Sequence, residues 1–254
     1  MFRSLFIAFT TYSRLPVPRV DWDERSLRYA VCFFPLIGVV IGALEYLWLW
    51  LSGLLGCGAL LRGAVAAALP LLVTGGIHAD GFCDTVDALS SHQSRERMLE
   101  ILKDSNCGAF AVIFFGLWLM LWLAGWSALD RGETVLCAGC ALVVSRALSG
   151  LALNLWKHAR KQGMLRTVAD AGNKPAITVT MAVWLVLACA GLLLVSPWRG
   201  GLVIAVNALV FGWYRLVSMK KFGGVTGDLA GCFVTLAELA SVLALALTSG
   251  IVPE

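Results

Sequence analysis

Apolar residues run along this chain in long, nearly unbroken stretches, and polar residues gather in the short intervals between them. Stretches long enough to cross roughly 30 Å of hydrocarbon, about 20 residues each, lie at residues 31–54, 57–77, 107–128, 134–155, 176–196, 199–218 and 229–251. The pattern predicts an all-α, polytopic integral membrane helical bundle of about seven transmembrane helices, read as a single domain over residues 1–254. Residues 1–12 are apolar but too short to span. Arg14-Leu15-Pro16-Val17-Pro18-Arg19 follows them without a small-residue cleavage site, so residues 1–30 read as an interfacial N-terminal segment and not as a signal peptide.

Composition agrees with a membrane protein: 59% of the residues are hydrophobic and 14% are charged, and the mean hydropathy is +0.81. The cations also set an orientation. Arg3, Arg14, Arg19, Arg25 and Arg28 precede the first stretch; Arg95, Arg97 and Lys103 lie between the second and third; Lys157, Arg160, Lys161, Arg166 and Lys174 lie between the fourth and fifth; Arg215, Lys220 and Lys221 lie between the sixth and seventh. The opposite side has Arg131 and Arg199 as its clear loop cations. The positive-inside rule therefore puts the N-terminus and the loops 78–106, 156–175 and 215–228 in the cytoplasm. The net charge of +4 is mostly this topology, so membrane lipid is an expected partner and nucleic acid is not. The eight cysteines fall in or beside apolar stretches and imply no disulfide framework. Cys137-Ala138-Gly139-Cys140 has neither a second pair nor a nearby His, and reads as membrane packing.

The densest polar motif is Thr74-Gly75-Gly76-Ile77-His78-Ala79-Asp80-Gly81-Phe82-Cys83-Asp84-Thr85-Val86-Asp87, directly after the second stretch. Continued as a helix, it stacks Asp80, Asp84 and Asp87 within roughly 60° of one face. Three like charges so close repel unless a cation binds, and hard oxygen ligands favour Mg²⁺ or Mn²⁺ near the membrane surface. His78 is the natural general base, since it titrates near neutral pH; the alternatives are a carboxylate as base, and a His78 that only hydrogen-bonds at the end of the span. His92 and His158 read as surface residues. Ser94 can N-cap a short helix over residues 95–103 with Met98, Ile101 and Leu102 on its apolar face. Lys103-Asp104-Ser105-Asn106-Cys107-Gly108 ends it with a charge, a hydroxyl and a glycine suited to phosphate. Gly223-Gly224-Val225-Thr226-Gly227-Asp228 precedes another helix and can aim backbone N–H groups at an anion, with Asp228 as a cap or a metal ligand. Arg146 and Glu238 sit inside apolar stretches, where ionisable groups pair or face a polar cavity. Glu45 has no comparable motif and stays unassigned.

At these residues a resemblance emerges. Residues 74–87 are similar to the Gly-Gly-x-His-x-Asp-Gly-x-x-Asp-x-x-Asp signature of the cobalamin synthase family, the adenosylcobinamide-GDP ribazoletransferases that act late in vitamin B12 assembly. Ser13-Arg14-Leu15-Pro16-Val17-Pro18, Phe34-Pro35-Leu36-Ile37-Gly38, Arg97-Met98-Leu99-Glu100-Ile101-Leu102-Lys103-Asp104-Ser105 and the Gly223–Asp228 block resemble further family segments in the expected order, so the similarity covers almost the whole chain. The resemblance implies a catalytic domain in a bacterial inner membrane, with its active site facing the cytoplasm. It implies attack of the α-ribazole hydroxyl on the phosphorus attached to cobinamide, release of GMP, and Mg²⁺ as cofactor. The corrinoid nucleotide and α-ribazole, or α-ribazole 5′-phosphate, are then the substrates, and other cobalamin-assembly enzymes are candidate partners.

On this resemblance Asp80, Asp84 and Asp87 are the expected metal ligands, joined by Asp104 and Asp228 as second choices if the loops fold together; His78 and Asp104 are the catalytic candidates. Arg14, Arg95, Arg97, Lys103 and Arg146 are candidates to hold the diphosphate and the guanosine phosphate, with Ser105, Thr226, Gly227 and Glu238 completing the substrate-binding set. The chain departs from the family pattern at Leu229 and Thr235, where many relatives have a Thr and a Glu. Two rival readings are an ion-coupled transporter, motivated by the buried charges, and a CDP-alcohol phosphotransferase. The Asp-Gly-x-x-Ala-Arg start of the latter's motif is absent, and no inverted repeat supports the former.

Overall fold

The computed structural model describes residues 2–129, 132–160 and 164–249, without the side chains of residues 164–166 and 169. Arg131, Lys161, Gly163 and the side chain of Arg166 lie outside the described residues. Among those described there are twelve α-helices and no strand. The helices α1 (Phe2–Tyr12) and α2 (Glu24–Leu27) lead through a 3₁₀ turn (Ala30–Phe33) into α3 (Phe34–Leu54). Next come α4 (Ala59–Thr74), α5 (Ile77–Ser90), α6 (Arg95–Ile101), α7 (Ala109–Ala128), α8 (Glu133–Leu155), α9 (Met164–Ala171), α10 (Lys174–Val195), α11 (Pro197–Val217) and α12 (Gly227–Thr248).

Six helical runs, those of α3, α7, α8, α10, α11 and α12, are long and apolar enough to cross a membrane. The seventh expected span differs from the rest: α4 and α5 qualify only as a pair, bent by 91°. The apolar stretch at 57–77 therefore does not run straight on into the acidic helix. Its break is written in Gly75 and Gly76, with φ of 66° and 78°. A residue carrying a Cβ costs about 1–2 kcal/mol in that left-handed region, so successive glycines are the cheapest way to turn the chain here. Gly75 has a second reason to lack a side chain, because a Cβ would stand 2.5 Å from Nε of Arg14. The backbone N–H of Arg14 in turn donates to the Val73 carbonyl at 2.7 Å.

The central helices are α8 and α12, buried along most of their length, whereas α7, α10 and α11 turn wide apolar faces outward. The exposed Val112, Met120, Val186, Leu194 and Leu209 suit contact with lipid tails. Small residues let the central helices approach closely: Gly42 on α3 lies against Gly139 on α8, and a Cβ on Gly42 would stand 3.0 Å from the Gly139 Cα. On α7, Trp118, Trp122 and Trp126 repeat every four residues and pack inward with successive ring centroids 5.5 Å apart, the first pair stacked and the second edge to face. The cysteines are free and Cys137 is fully buried in this packing, as the membrane-packing reading expected. At the end of the bundle where α8 and α11 begin, Arg199 is buried and pairs with Glu133 at 2.8 Å. Arg62, which the hydropathy pattern had absorbed into a span, stands near the start of α4 and donates to the Ser127 carbonyl at 3.4 Å.

Candidate functional site

The N-terminal ends of α5 and α12 meet at the other end of the bundle. Gly81 makes the meeting possible: a Cβ there would stand 2.6 Å from the backbone carbonyl oxygen of Asp228. Asp80 precedes that glycine by one residue, so the close crossing sets Asp80 on α5 beside Asp228 on α12. Both line a cavity of about 260 Å³, together with His78, Thr226, Gly227 and Arg160.

Arg160 reaches this cavity through backbone pairing between two loops. The Val225 N–H donates to the Lys157 carbonyl at 2.8 Å and the Ala159 N–H donates to the Val225 carbonyl at 3.0 Å. Gly224 permits the approach, since a Cβ there would stand 2.5 Å from the Ala159 nitrogen. Held in this way, Arg160 places Nη1 3.3 Å from Oδ2 of Asp228 and donates from Nη2 to the Leu99 carbonyl at 3.0 Å. The Thr226 hydroxyl donates to Asp228 Oδ2 at 3.3 Å and accepts from the Leu229 N–H at 3.2 Å, capping α12. Asp84 lies one turn along α5 from Asp80, within electrostatic reach of Asp80, Asp228, Asp87 and Arg160. Among the described residues, three carboxylates thus lie around the Arg160 guanidinium.

Among the described residues no three His, Cys, Asp or Glu side chains are drawn together tightly enough to hold a metal ion as they stand. The chemistry of the donor set nevertheless fits a hard divalent cation. Asp80, Asp84 and Asp228 supply only carboxylate oxygens, and their excess negative charge is compensated by Arg160 alone among the groups named above.

The remaining sequence-predicted residues divide between the edge of this site and other work. Asp87 accepts from the Gly108 N–H at 2.6 Å and the Ala111 N–H at 2.9 Å, so it caps α7 from a neighbouring helix. Charge-assisted bonds of that kind contribute about 1.5–3 kcal/mol each. The close approach that Gly108 allows is made by the Asp87 carboxylate, 2.7 Å from where a Cβ would stand, and not by a phosphate. Asp104 is exposed and accepts from both the backbone N–H and the side-chain amide of Asn106, which hold its carboxyl below the ordinary carboxylate range. Arg97 pairs with Glu100 at 2.7 Å on the exposed face of α6, and Lys103 and Ser105 are exposed in the turn after it. None of these residues lines the cavity. Arg14 lines an open groove of about 830 Å³ on its flank, which shares Asp80 with it.

Arg146 and Glu238 are brought together, but away from the cavity. Both are buried and pair through Arg146 Nη1 and Glu238 Oε1, with the Ser145 hydroxyl donating to the same oxygen at 2.9 Å and Arg146 also donating to the Leu142 carbonyl at 2.8 Å. They line a void of about 20 Å³ behind His78, room for one water. His78 Nε2 is buried without a hydrogen-bond partner from the protein. Its ring lies 5.6 Å from that of Phe34, so the side chain bridges the cavity and the bundle interior.

Sequence reasoning missed Arg160, reading it as a topological cation, and missed Tyr12 and Thr11, which line the cavity from α1. It also read His158 as a surface residue, whereas His158 lines the cavity wall. For Arg160 the signal lies in a distant pairing, Lys157 to Val225, that no local pattern carries.

Fold and site define a multi-pass helical membrane protein with an acidic centre at one end of its bundle. The family described as cobalamin-5-phosphate synthase matches residues 4–246. An adenosylcobinamide-GDP ribazoletransferase of Lachnoclostridium phytofermentans is 44% identical over 249 residues, covering 98% of this chain and 95% of the relative. Proteins of the same name from Pseudomonas savastanoi pv. phaseolicola and Clostridium perfringens are 38% identical over 92% of this chain and 93% of the relative, and 27% identical over 96% and 97%. No solved structure matches the chain. The chain belongs to the cobalamin-5-phosphate synthase family, as the resemblance of its motifs had indicated, and is therefore an enzyme of cobalamin assembly.

Proposed function

We propose that this chain transfers the cobinamide phosphate of adenosylcobinamide-GDP to α-ribazole or α-ribazole 5′-phosphate, forming adenosylcobalamin or its 5′-phosphate and releasing GMP. The observation that carries the reading is the convergence of two helix N-termini, each bearing a carboxylate in its first turn, on one cavity that also holds Arg160. Helix N-termini and a guanidinium favour phosphate oxygens, while carboxylates favour a cation. A site that gathers both suits a diphosphate bound together with a divalent cation.

In this reading Asp80, Asp84 and Asp228 would hold Mg²⁺, or Mn²⁺ in its place, which would supply charge neutralisation to the diphosphate. Asp87, engaged at the start of α7, supports the centre by fixing α5. Arg160 and the first amides of α5 and α12 orient the diphosphate. The ribazole hydroxyl oxygen forms the new bond to the phosphorus that carries cobinamide; the bond from that phosphorus to the bridging oxygen breaks, and GMP leaves with the electron pair. The hydroxyl proton passes to an acceptor in the cavity, which His78 and His158 line beside the carboxylates. Arg14, in the adjoining groove, contacts the substrate beyond the diphosphate. The cation-rich loops stand at the same end as the cavity, which under the positive-inside rule supports a site facing the cytoplasm from a bacterial inner membrane.

Product analysis by mass spectrometry tests the reading. Detergent-purified protein with adenosylcobinamide-GDP, α-ribazole and Mg²⁺ is expected to yield adenosylcobalamin and GMP, with EDTA abolishing both. Absence of product with either α-ribazole or its 5′-phosphate, from protein that remains folded, overturns the reaction. Undiminished product in EDTA overturns the metal.

A further inference from the structure

A second groove at the same end of the bundle lies outside the acidic cavity and shares no lining residue with it. It encloses about 510 Å³ between the start of α6 and the chain just after α11, and His92, Arg95, Lys220 and Lys221 line it without a carboxylate. Three unusual backbone features converge here. The chain leaves α11 through a π turn, Ser218–Phe222, anchored by the fully buried Phe222. Such turns are rare and concentrate at functional sites. Gly223 follows with φ of 76°, leaving room for Arg95, whose Nη1 would stand 2.8 Å from a Cβ there. On the facing wall His92 is the only non-glycine residue with positive φ among the described residues, at 50°. A side chain held in that region marks a local constraint that the surroundings enforce.

We propose that this groove binds a phosphate-bearing anion. Arg95 is aimed by donating from Nε and Nη2 to the Lys221 and Lys220 carbonyls at 3.3 and 3.5 Å, which ties the guanidinium to the lysine pair. Three permanent cations without an intervening acid form a surface that phosphate oxygens neutralise. Two sources present that chemistry here. Lys220 and Lys221 close the run Pro197–Phe222, which is long and apolar enough to cross a membrane, and the end of such a run is where anionic headgroups are met. The segment 223–228 also joins the groove to Asp228 of the acidic centre, where the proposed function holds a nucleotide. The nucleotide source rests on the proposed function, whereas the lipid source does not, and anion binding is read without turnover in both.

The test titrates the full-length protein with GMP in detergent and, separately, with nanodiscs containing phosphatidylglycerol against phosphatidylcholine alone. The variant K220Q/K221Q is compared with R19Q/K174Q, which removes the same charge elsewhere. K220Q/K221Q is expected to weaken one of the two interactions by about tenfold while R19Q/K174Q leaves it unchanged. Loss in the GMP arm identifies a nucleotide site, and loss in the nanodisc arm identifies a lipid site. The proposal is overturned if wild type binds neither probe, if K220Q/K221Q changes neither arm, or if R19Q/K174Q weakens binding equally.

Discussion

Asp84→Asn is expected to lower turnover by about 10³-fold or more while the protein remains monodisperse in detergent. The substitution keeps the size and shape of a half-buried side chain and removes one of the charges that α5 and α12 set against Arg160. Loss of a metal-neutralised phosphoryl oxygen at the transition state is worth several kcal/mol, and each 1.36 kcal/mol is tenfold in rate. Single-turnover product formation with saturating substrate measures the effect, and size-exclusion chromatography checks the fold. A rate within a few-fold of wild type removes Asp84 from the centre.

The second large effect concerns stability. Arg146→Met strands Glu238 inside the bundle without its partner, and breaking a buried ion pair from one side costs about 3–5 kcal/mol. Thermal unfolding in detergent is expected to show that loss, and the double variant R146M/E238M is expected to recover much of it, because replacing both members with apolar groups removes the stranded charge. If Arg146 instead contacts substrate, Arg146→Met leaves the unfolding temperature near wild type and raises KM, and the double variant restores nothing.

The fold was legible because its determinants are local and repeated. Each apolar stretch carries its own length, and most of the predicted spans reappear within a few residues. Where the reading slipped, the cause was a backbone feature. Gly75 and Gly76 look like ordinary motif glycines until their positive φ values show that they turn α5 across the bundle end. The acidic face of α5 was legible from spacing alone, and so was the helix capped by Ser94, whose hydroxyl accepts from the Arg97 N–H at 3.3 Å. The division of labour on that face was not, because Asp80 and Asp87 differ only in what lies opposite: the start of α12 for one, the start of α7 for the other. In the same way Arg160 and Arg97 are equivalent as loop cations in the sequence. Only the pairing of Lys157 and Ala159 with Val225 brings Arg160 beside Asp228. Thr235 lines the small void with Glu238, three residues further along α12.

The central claim is that carboxylates from α5 and α12 form one cation centre, and Mn²⁺ titration followed by electron paramagnetic resonance tests it most directly. Wild-type protein without substrate is expected to bind one Mn²⁺, displaceable by Mg²⁺, and both Asp84→Asn and Asp228→Asn are expected to abolish that binding. Binding that survives Asp228→Asn undiminished would show that α12 contributes no ligand, contradicting the two-helix centre.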